Sequence, residues 1–78
     1  MNYIICVTGG GRWGEVCGYV TSEEVAKELV DAMNTLCQND ETERYYYQED
    51  KENNSEFWKL PDIEYRLELA KKRIEETT

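Results

Sequence analysis

The chain has 78 residues, enough for one domain (1–78) with a small core and too few for a deep catalytic cleft. Seventeen carboxylates face nine Lys and Arg side chains, a formal charge of −8, and histidine is absent. That balance argues against direct contact with nucleic acid or anionic membrane, and it removes the commonest general base and metal ligand. A hydrophobic share of 40%, with 12% aromatics, separates the chain from a disordered acidic tail. No stretch approaches the ~20 apolar residues of a membrane span, and the start lacks the basic flank and long apolar run of a leader. Three cysteines without CxxC spacing read as reduced, small apolar side chains, which predicts a cytoplasmic protein.

Residues 2–8 are β-branched and aromatic, as a strand requires, and 15–20 form a second strand. Gly9–Gly14 is the turn between them. Placing Thr8 opposite Glu15 sets Cys6 opposite Cys17, with Tyr3, Ile5, Val7, Val16 and Val20 on one face. Ile4, Cys6, Cys17 and Tyr19 share the other. Neither face is polar, so both are expected to be at least partly covered.

Thr21 and Glu24 have capping-box spacing at the start of a helix. Val25, Ala26, Leu29, Val30, Met33, Leu36 and Cys37 make one apolar stripe, which should lie on the sheet. Residues 43–49 read as a third strand. Alternation separates Tyr46 from Tyr45 and Tyr47, giving the latter two to the core and Tyr46 to an interface. Residues 56–60 are either a short fourth strand or the lead-in to a second helix over 61–76, with Pro61 in its first turn. Ile63, Leu67, Ala70 and Ile74 recur at helical spacing. The expected fold is α+β, in the order β-β-α-β-(β)-α, with three or four antiparallel strands. Helix one packs on the sheet. The second helix covers the other face or projects to a partner, where its seam would build a homodimer.

The motifs are weak. Gly9–Gly14 matches G-x-G-x-x-G, yet a strand rather than a helix comes next, so no helix N-terminus awaits a pyrophosphate. A hairpin tip is the simpler reading, and Arg12 and Trp13 on it are types enriched at binding hot spots. Asp50–Ser55 lacks the glycine and the terminal glutamate of a calcium loop. Without histidine, no cysteine has an activating base. No catalytic residue, metal site or cofactor is therefore expected.

Charge is unevenly spread. Residues 21–43 set Lys27 against seven carboxylates, and 44–58 set Arg44 and Lys51 against four, while both ends are neutral. On helix one, Glu24, Glu28 and Asp31 form a single row. Asp40, Glu41 and Glu43 come after it. Such a surface can occupy a groove built for phosphates, because both present anionic oxygens to Lys and Arg.

The succession of a strand, a glycine-rich tip, a strand ending in Val20-Thr21-Ser22-Glu23-Glu24-Val25-Ala26, a helix and a tyrosine-rich strand resembles many short phage-encoded open reading frames. Size and acidity also resemble phage inhibitors of host defence, including anti-CRISPR proteins and nucleic-acid mimics. The resemblance implies a non-catalytic inhibitor in the bacterial host cytoplasm that blocks a basic, nucleic-acid-binding surface of an immune complex. Glu24, Glu28, Asp31, Asp40, Glu41 and Glu43 would steer it, with Arg12, Trp13 and Tyr46 as anchors. The alternatives are an oligomerising adaptor using Ile63, Leu67, Ala70 and Ile74, or a nucleotide or small-molecule binder using the glycine-rich tip.

Overall fold

The computed structural model of the chain describes residues 1–37 and 43–77. It is an α+β domain in the order β1 (Asn2–Gly9), β2 (Arg12–Val20), α1 (Glu23–Leu36), β3 (Arg44–Asp50), α2 (Asn54–Phe57) and α3 (Tyr65–Thr77). The three strands form one antiparallel sheet, β2-β1-β3, so the first strand made is the central one.

β1 and β2 are joined by a turn tighter than the Gly9–Gly14 stretch suggests. β1 runs to Gly9 and β2 starts at Arg12, leaving Gly10 and Gly11 between them, both with positive φ (59° and 87°). That pair of angles suits a two-residue turn matched to strand twist. Further down, a register shift between Ile5 and Cys6 pairs Ile5 with Gly18 but Cys6 with Val16. The predicted register is therefore corrected. The irregularity turns Cys17 toward the core and leaves Val16 beside Ile4 and Cys6 on the opposite face. Cys6 and Cys17 are therefore not opposite each other across the hairpin.

α1 begins one residue later than the capping box suggests. Ser22 is the N-cap, its side chain makes no capping bond, and its carbonyl accepts from Ala26 N–H at 3.0 Å. Glu23 and Glu24 in the first turn favour the positive end of the helix dipole. Ala26, Leu29 and Ala32 are buried against Ile5 and Val20, with Tyr45 and Tyr47 packed around them. Tyr3 meets Tyr47 edge-on, with ring centroids 6.2 Å apart. The apolar stripe thus lies on the sheet as its spacing requires.

Residues 56–60 do not form a fourth strand. Asn53 takes a left-handed conformation, and the Asp50 carboxylate accepts the backbone N–H groups of Asn54 (2.9 Å) and Ser55 (2.8 Å). Those bonds start the single helical turn α2 where an extended chain would have continued. The Ser55 hydroxyl also donates to Asp50 (2.6 Å) and accepts from Asn2 (2.9 Å), tying the turn to the start of β1. Pro61 precedes α3 rather than opening it. Its carbonyl accepts from Tyr19 N–H at 3.0 Å, and Ile63 N–H donates to the Tyr19 carbonyl at 2.9 Å. This lone parallel bridge lies on the outer edge of β2, where a residue without an N–H is tolerated.

The C-terminal helix neither projects away nor covers the second face. α3 packs beside α1 on the same side of the sheet, and Ile63, Leu67 and Ala70 are buried in one cluster with Leu29 and Val20. Ile74 packs against that cluster. The proposed dimer seam is therefore intrachain core, because the small sheet and α1 cannot bury Val20 and Leu29 without it. Gly18 permits the close approach: a Cβ there would stand 2.6 Å from Ile63 Cγ2 and 2.7 Å from the Pro61 carbonyl.

Candidate functional site

One face of the sheet carries both long helices and the other carries none. On the uncovered face, Ile4, Cys6, Val16 and Gln48 floor an open concavity of about 360 Å³, with Trp58 contributing to its wall. Tyr46 crosses this face from β3. Its register partner is Cys6, and a Cβ on Gly14 of β2 would sit 3.0 Å from its hydroxyl. Ile4 and Cys6 are buried, while Tyr46 is 38% and Trp58 54% exposed. Burial pushes the Cys6 thiol up, only partly offset by hydrogen bonds with Tyr46 and Gln48, so it stays protonated and unreactive. The neighbouring Cys6, then burial, pushes the Tyr46 hydroxyl up as well.

Carboxylates border the concavity. Glu52 is exposed at its end beside Lys51, whereas Glu49, two places from Tyr47, carries its charge on the helical side near Tyr3. Asp50 is different. Burial pushes its carboxyl up, but the Ser55 hydroxyl and the two backbone N–H donors outweigh that and hold it below the usual carboxylate range. Its oxygens cap α2, so it shapes the rim by placing Trp58 and is not itself a free anion.

The residues expected to make one composite surface are split. Glu24, Glu28 and Asp31 do lie exposed on the outer side of α1. That row is on the helical side of the sheet, away from Tyr46. Lys71 of α3 reaches Glu28 at 3.2 Å and offsets part of its charge, while Lys27 pairs with Glu23 outside the row at 3.2 Å. Glu43 is half-buried, 4.0 Å from the Cys37 thiol that donates to it, at the far end of α1. Asp40, Glu41 and the side chain of Arg12 lie outside what the structure describes. Trp13 stands 94% exposed near the hairpin tip. The tip joins strand to strand across Gly10–Gly11, with a second register shift between Val7 and Gly9, and no helix starts there.

Trp58 and Glu52 belong to this surface although no motif marks them. A signal was present in Asp50-x-x-x-x-Ser55: an acid that caps the next turn also fixes where that turn places Trp58. Among the described residues, no group of three or more cysteines and carboxylates is placed to hold a metal ion, and no helix is long and apolar enough to cross a membrane. No family model, curated protein or solved structure matches this chain.

Proposed function

We propose that the chain is a non-catalytic protein-binding inhibitor whose helix-free sheet face docks on a basic surface, such as the nucleic-acid-binding face of a bacterial defence complex. The observation that carries this reading is the company of Tyr46 and Trp58, two exposed aromatics on the face floored by Ile4, Cys6 and Val16, with Glu52 at its border. Aromatics supply the anchoring area and carboxylates the preference for Lys and Arg. The α1 row contributes long-range attraction, which acts on encounter rate more than on the bound contact. The adaptor alternative keeps only the helix-free sheet face, since Ile63, Leu67 and Ala70 are buried within the chain. The nucleotide alternative has no helix start after the glycine-rich tip to hold a phosphate.

The test is affinity capture from bacterial lysate at low salt, followed by a displacement assay. A basic nucleic-acid-handling partner should be captured, should release its nucleic acid when the chain is added, and should be lost with Trp58→Ala. Capture of no such partner, or capture indifferent to salt and to Trp58→Ala, overturns the reading.

A further inference from the structure

Among the described residues, the outer edge of β3 is a strand template left open over part of its length. Tyr45 donates its backbone N–H to Asn34 Oδ1 (2.8 Å), and its carbonyl accepts from Asn34 Nδ2 (3.1 Å). Both groups therefore point away from β1. The β1–β3 register runs without a shift from Asn2↔Asp50 to Thr8↔Arg44, so Tyr47 and Glu49 aim the same way at a period of two. The carboxamide of Asn34 substitutes for a neighbouring strand at Tyr45. No described residue does so at Tyr47 or Glu49. This edge carries no proline and no bulge, two of the usual devices that discourage pairing.

We propose that the β3 edge from Tyr47 to Glu49 accepts an added strand, and that its occupant is an extended, lysine- or arginine-bearing segment of the partner. The inference rests on the basic-partner reading and names how that partner binds. Charge selects the occupant. Arg44 stands at one end of the edge, and Glu49 and Glu52 stand exposed at the other, beside the open stretch. A basic residue two places along the added strand meets those carboxylates, whereas a second copy brings a further formal charge of −8 against the first. Side chains of an added strand alternate, so every other one lands beside Tyr46 and Gln48, extending the aromatic face.

Amide hydrogen exchange read residue by residue tests this. In the free chain, Tyr46 and Gln48, bonded into the ladder, should exchange slowly, and Tyr47 and Glu49 fast. Adding the peptide Lys-Val-Lys-Val-Lys-Val-Lys should slow Tyr47 and Glu49 ~10-fold or more. Glu49→Pro removes both the outward N–H at that position and the carboxylate, so it should lower the protection read at Tyr47 further than Glu49→Gln, which removes the charge alone. Peptide binding that leaves the Tyr47 and Glu49 amides unprotected overturns the edge inference while the basic-partner reading stands. Equal protection by Thr-Val-Thr-Val-Thr-Val-Thr keeps the edge and removes the charge preference. Protection that rises with protein concentration and needs no peptide assigns the edge to a second copy and overturns the proposed occupant.

Discussion

The two outer strands of the sheet are finished in different ways. At β2, the chain returns as residues 61–63 and closes Tyr19 with two backbone hydrogen bonds, backed by the buried Ile63 side chain. At β3, one side-chain amide closes Tyr45, and no other described residue bonds the outward backbone groups of Tyr47 and Glu49. The closed edge is built into the core, so it belongs to stability. The open edge adjoins Tyr46, and it is this edge that the proposed partner strand would use. Edges left unpaired are a liability that proteins ordinarily blunt.

The contrast can be broken most severely at the closed edge. Ile63→Ala leaves a cavity between α3 and the sheet and should cost about 2–5 kcal/mol, read as a lower midpoint in urea unfolding. Gly18→Ala forces a Cβ into Ile63 and Pro61 and should cost about 1–3 kcal/mol in the same measurement, with loss of exchange protection at Tyr19 and Ile63. At the open edge, Asn34→Ala removes two half-exposed hydrogen bonds and should cost roughly 1 kcal/mol. It should also lengthen the template and raise peptide binding, which no change at the β2 edge does.

A pH series sharpens the same contrast. Asp50 has its folded-state carboxyl held below the ordinary range, so its contribution is full above the unfolded value of about 3.9 and fades as pH falls through the folded value. Ser55→Ala removes the 2.6 Å donor, so its destabilisation should be largest at neutral pH and shrink below about pH 4. A destabilisation independent of pH would show that Ser55 acts by packing alone. The smallest effect is expected on α1, where Glu24→Lys with Asp31→Lys should change stability by about 0.5 kcal/mol or less. It should slow partner association without altering which amides become protected, checked by stopped-flow at two salt concentrations.

Period and composition made much of this legible. The alternation of Tyr45, Tyr46 and Tyr47 placed two rings in the core and one outside, and the stripe from Val25 to Leu36 placed α1 on the sheet. The register of β1 with β2 was not legible, because the irregularity at Cys17 comes from backbone geometry that a tolerant run of small apolar residues does not announce. The destination of α3 was hidden for another reason. The Ile63–Leu67–Ala70–Ile74 spacing reports a buried stripe without saying which surface buries it. Only the fit of Ile63 against a strand glycine decides that. The acidic α1 row and Tyr46 lie on opposite sides of the sheet, which the sequence order of the two elements does not reveal.

The position of β1 bears on how the domain is made. Of the three strands, the one synthesised first is the centre of the sheet, and its second neighbour is complete only at Asp50. The buried bond from Asn2 to Ser55 spans 53 positions, and Ile63, Leu67 and Ala70 arrive later still. A chain emerging in order can form the β1–β2 hairpin early. It cannot seal Val20 and Leu29 until α3 has left the ribosome. Closure of this core is therefore set to wait for α3 rather than accompany synthesis of the sheet, and long-range pairing of this kind is slow to nucleate. A product cut short before Leu67 would keep Ile63 but lack Leu67 and Ala70, leaving the core around Val20 and Leu29 incomplete.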